Sequence, residues 1–147
     1  DGQELQSQYE LAKDHYQASA DAAEEVSERI ASIENVARAL FDEWQDEIKQ
    51  YSSNALRIKS ERKLGETQRQ FERVLNKMRR SERKIAPILA TLNDHVLYLK
   101  HNLNAQAIKG ISVEFENLKK EIKQLVEEVN SSIAESNKFI AEMESRS

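Results

Sequence analysis

The chain is 147 residues long, about one ordinary domain, with a formal net charge of −4. Three glycines and one proline leave almost none of the residues that tight turns need, so a sheet-rich fold is excluded; 39% hydrophobic and 33% charged residues match long two-faced helices rather than a disordered chain. Cysteine is absent, which removes disulfide frameworks, thiolate nucleophiles and cysteine-ligated metal sites, and no run approaches the ~18 apolar residues of a membrane span.

The first predicted helix covers about 3–51. Its stripe runs Leu5, Tyr9, Ala12, Tyr16, Ser19, Ala23, Val26, Ile30, Ile33, Ala37, Leu40 and Trp44, in steps that alternate four and three, and Ile48 and Tyr51 continue it. A spacing averaging 3.5 keeps one face toward a partner helix with coiled-coil packing. Tyr51, Ser52, Ser53 and Asn54 form the break, since three of them are capping side chains. The second helix, about 54–102, follows Leu64, Gln68, Phe71, Leu75, Met78, Glu82, Ile85, Leu89, Leu92, Val96, Leu99 and Leu103, with polar interruptions at Gln68 and Glu82. Gly65 is a soft point in it, and Pro87 should kink it by removing a backbone donor. Asn104 can cap a third helix, about 105–145, along Ile108, Ile111, Phe115, Leu118, Ile122, Leu125, Val129, Ile133, Ser136, Ile140 and Met143. Gly110 weakens its start, with a restart at Ser112 as the fallback.

Two short connections force neighbours to run antiparallel. The expected fold is therefore all-α: one domain, an elongated antiparallel three-helix bundle with packing like that of a spectrin repeat. Four shorter helices, broken near Gly65 or Pro87, are the competing arrangement.

Charge favours the same pairing. Residues 1–52 carry thirteen acidic and four basic side chains, residues 53–100 five and twelve, and residues 101–147 eight and six. A hairpin turning near Ser52 sets Asp42, Glu43, Asp46 and Glu47 opposite Arg57, Lys59, Arg62 and Lys63, and Glu24, Glu25 and Glu28 opposite Lys77, Arg79, Arg80 and Arg83. Such pairs set register more than stability. The basic stretch from Arg57 to Lys84 is thus matched internally, and a sequence pI near 5.5 with no aromatics among the arginines argues against nucleic acid as a partner. A membrane surface is the other use for arginines left over, notably Arg79 and Arg80.

A carboxylate-bridged metal pair needs a Glu-x-x-His spacing on two helices, but Ala12, Leu92 and Tyr98 stand three positions before His15, His95 and His101. No metal, cofactor or catalytic residue is therefore expected, and neither a nucleophile elbow nor a glycine-rich phosphate loop occurs. The most unusual local chemistry lies at the second turn. Tyr98, Lys100, His101, Asn102, Asn104 and Gln106 concentrate phenol, imidazole and amide groups there, as a polar recognition patch or as helix caps.

The strings AEEVSERI (Ala23–Ile30), LFDEWQDEIKQY (Leu40–Tyr51), VLYLKHNLNAQAI (Val96–Ile108) and SIAESNKFIAEM (Ser132–Met143) resemble an uncharacterised bacterial family, a domain of unknown function found mainly in gammaproteobacteria. The resemblance spans nearly the whole chain, with Gly110 standing where the family has an alanine-like residue. It implies a lipoprotein-like, envelope-associated protein, periplasmic in location. It also implies a further helix and a targeting signal upstream of Asp1, and it brings no activity or ligand. The expectation is a non-catalytic structural or protein-interaction module of the cell envelope; the alternative is a peripheral membrane or lipid-binding helical module. An uncovered groove would also favour a homodimer.

Overall fold

The computed structural model describes residues 2–145. It contains helices α1 (Gly2–Ile48), α2 (Asn54–His101) and α3 (Ala105–Ser145), and no strand among the described residues. The chain is an all-α three-helix bundle. α2 runs without interruption through Gly65 and Pro87, and α3 through Gly110, so no fourth helix forms and α3 starts at Ala105 rather than restarting at Ser112.

Local chemistry sets the ends. The N–H groups of Lys49, Gln50 and Tyr51 each donate to the carbonyl three residues back, at 3.2, 3.0 and 3.3 Å. That tightened winding closes α1 at Ile48 instead of Tyr51. Ser53 then caps α2: its Oγ accepts from the Leu56 N–H at 3.2 Å and its carbonyl from the Arg57 N–H at 3.0 Å.

The packing divides into two compact units. Unit 1 takes α1 through Ser27 together with Ser81–Glu128, and unit 2 takes Glu28–Arg80 together with α3 from Val129 onward. All three helices contribute to each unit. In unit 1 the buried cluster is Ile85, Ile88, Leu92 and Val96 of α2 against Phe115, Ile122 and Leu125 of α3. In unit 2, Ile30, Phe71, Met78 and Val129 are fully enclosed, and Phe41 meets Phe71 edge-on with ring centroids 5.8 Å apart.

The inward stripes follow the predicted spacing with two corrections. Phe41, absent from the expected stripe, is buried, whereas its neighbour Leu40 is only half-buried. On α2 the polar interruptions Gln68 and Glu82 lie at the edge of the buried face, and Thr67, Val74, Ser81 and Ile88 are buried one position earlier. Leu64, Phe71, Met78, Ile85, Leu92 and Leu99 form one buried column and Thr67, Val74, Ser81 and Ile88 a second, each at a strict seven-residue spacing, so α2 keeps its heptad period and the second column lies one position before the expected one. The Thr67 hydroxyl is satisfied in place, donating to the Lys63 carbonyl at 2.9 Å.

Candidate functional site

The side chains expected as a patch at the second turn divide between two tasks. Asn102 Nδ2 donates to the Tyr98 carbonyl at 3.1 Å, and Asn104 Oδ1 accepts the Ala107 N–H at 2.8 Å while its carbonyl accepts from Ile108 at 3.1 Å. Both amides are thus engaged at helix ends, and Lys100 and His101 occupy the last turn of α2, where the helix dipole favours a cation. Tyr98, Asn104 and Gln106 line a shallow hollow with Asp94, His95, Ala107, Gly110 and Ile111; Lys100, His101 and Asn102 do not. His95 forms its floor, with Nε2 at 3.7 Å from Glu114 Oε2, the ring tilted against Phe115, and a buried Nδ1 that has no partner.

A second feature of unit 1 lies along α1. From Leu5 to Ala23 every stripe position of α1 is only half-buried, and the first fully covered residue is Val26. The sequence gives the cause. Ala12, Ser19 and Ala23 alternate with Tyr9 and Tyr16, and residues this small cannot fill the space against α3. Two hollows of about 190 and 500 Å³ result along the α1–α3 seam, and both are bounded by His15 and Glu116. Gln8, Leu11, Ala12, Ala18 and Ala22 form one wall; Ile111, Phe115, Ile122 and Val126 form the other. Lys119, Lys120 and Lys123 stand along it, and Leu11 is 55% exposed.

Unit 2 has a cleft of about 340 Å³ beside the first turn. The Trp44 indole lies in it and donates Nε1–H to Ser60 Oγ at 3.0 Å. Glu43 and Glu47 line one side, Lys59 and Lys63 the other, with exposed Tyr51 and Leu56 at the mouth. Further along, Arg79 donates to Glu34 at 2.8 Å, Arg38 reaches the same carboxylate at 3.1 Å, and Arg38 also meets Glu72 at 3.0 Å. The hydrogen bond from Arg79, with Arg38 adding to it, holds the Glu34 carboxyl below the usual glutamate range.

These pairs correct the expected register. Trp44 reaches Ser60 as the hairpin predicts, but Phe41–Phe71, Arg38–Glu72 and Glu34–Arg79 fall six to nine positions further along α2, so Arg79 engages Glu34. Along their bodies α1 and α2 therefore pair in a register offset from the one at the turn.

Among the described residues, no group of three His, Cys, Asp or Glu side chains is placed to hold a metal ion, and no helix is long and apolar enough to cross a membrane.

A family model described as protein of unknown function, DUF2959, matches residues 1–143. The chain belongs to the DUF2959 family. No curated protein and no solved structure matches it.

Proposed function

We propose that this DUF2959 chain is a non-catalytic protein-interaction module of the bacterial cell envelope, using its α1–α3 seam to engage a protein partner. The observation that carries the reading is the unequal covering of unit 1. Its buried cluster is built by α2 and α3, while Tyr9, Ala12, Tyr16 and Ala23 of α1 pack on it only partly buried. Apolar surface left in such a groove gains free energy when a partner removes it from water, at about 25 cal/mol per Å² before association costs. The envelope placement rests on the family resemblance. A photo-crosslinking residue at Ala18, inside the seam, tests the reading in native cells against one at exposed Ser131. Capture of protein from Ala18 above the Ser131 background is expected, and equal yields would count against the reading.

The start of α2 favours a second reading, attachment to a membrane surface. Leu56 and Ile58 are 53% and 46% exposed there, among Arg57, Lys59, Arg62 and Lys63. Apolar side chains ringed by cations suit an anionic bilayer. Cosedimentation with vesicles containing phosphatidylglycerol should then fall as salt rises, and no binding at low salt would end this alternative.

A further inference from the structure

We infer that the α1–α3 seam of unit 1 is the seat of an acidic amphipathic helix supplied by a partner protein. The inference rests on the interaction reading above and specifies the partner.

Length and shape come first. The seam follows α1 from Gln8 to Ala22, about 21 Å at 1.5 Å per residue, or some four turns of a docked helix. Ala12, Ser19 and Ala22 follow one another on its wall at steps of seven and three, and small side chains let an incoming helix approach to the usual interaxial distance of about 8–10 Å. Both walls are α-helices whose backbone groups are already bonded internally, so the seam cannot extend a β-strand. An occupant must instead present side chains at i, i+3, i+4 and i+7 to the floor of Ile111, Phe115 and Val126.

Charge selects among such helices. Three ammonium groups line the α3 side, at Lys119, Lys120 and Lys123. Lys119 holds Glu116 at 3.1 Å one turn away on its own helix, which leaves the lysines in excess over that single carboxylate. Across the seam the α1 wall offers Gln8, Leu11 and His15, with no carboxylate lining it. Glutamates or aspartates along one flank of the incoming helix would pair with the lysine row and fix its rotational setting.

The test uses the full chain and two fluorescent peptides of about 20 residues that share one apolar helical face. One carries glutamates on its flanks, the other lysines. The acidic peptide should bind about ten-fold more tightly at low salt, with the difference collapsing near 0.5 M salt. In the variant Lys119→Glu/Lys120→Glu/Lys123→Glu, with helicity checked by circular dichroism, the preference should reverse. Equal affinities for the two peptides, or an acidic peptide unaffected by the lysine reversal, would overturn the inference. Self-association of the chain that is lost in the same variant would also overturn it, by assigning the seam to a second copy. If the seam crosslinks in cells to a partner segment that is not acidic, the interaction reading survives and this inference falls.

Discussion

Glu34 on α1 and Arg79 on α2 are joined at 2.8 Å, and Arg38 ties the same carboxylate to Glu72. The acidic helix here contributes a base and the basic helix an acid. Four side chains therefore share one network, each about a quarter to a half exposed. Because Glu34 titrates below its ordinary value, its contribution to stability is complete above the normal glutamate range and is lost as the pH falls through the lowered value. Glu34→Gln should cost about 0.5–1 kcal/mol at pH 7, and the gap to the parent chain should close on acidification. Urea unfolding at pH 7 and at steps down to pH 3 measures this. A gap that widens toward acid would contradict the assignment.

Ser136 lies in the α3 stripe with no exposure, and its Oγ is buried without a partner. A desolvated hydroxyl that makes no hydrogen bond is a net cost, whereas the Cβ–H of alanine needs none. Ser136→Ala should raise unfolding free energy by about 1 kcal/mol in urea titrations. A loss of similar size would mean that the hydroxyl is satisfied in solution.

Asn104 is the start signal of α3. Replacing it with alanine removes the acceptor for the Ala107 N–H and should cost about 1 kcal/mol. Asn104→Asp keeps the acceptor and adds a charge favoured at a helix N-terminus, so it should retain stability. Thermal melts of the pair distinguish a cap from a ligand-binding amide, which would leave both melts near that of the parent chain.

Gly110 and Pro87 are exposed inside uninterrupted helices. A Cβ at Gly110 meets nothing within 4 Å and its φ is not positive, so Gly110→Ala should stabilise by about 0.5–1 kcal/mol. Pro87→Ala restores a backbone donor to the Arg83 carbonyl and should gain more, up to about 3 kcal/mol. Differential scanning calorimetry of the two variants ranks them, and a drop in melting temperature for either would show that the proline ring or the bare backbone serves packing.

Helix type and the starts of α2 and α3 were legible in the residues because they depend on neighbours one turn apart. The alternation of threes and fours, the Ser53 cap and the Asn104 cap are all contained within four residues of chain. Which side chains sit deepest was less so. Phe41 outranks Leu40, and Thr67 and Ser81 replace Gln68 and Glu82 in the buried column, since which of two adjacent columns turns fully inward is settled by the helices packed on it.

At the candidate surfaces the division is sharper. The sequence alone determined that α1 and α2 carry opposite charge, and it offered Asn102 and Asn104 either as helix caps or as part of a polar patch. Only the tertiary structure decided that Arg79 goes to Glu34, that Tyr98 and Gln106 share a hollow with His95, and that α1 leaves a seam open along α3. Those outcomes depend on the axial register of the packed helices and on how small residues on one helix meet large ones on another, distances that exist only once the helices are side by side.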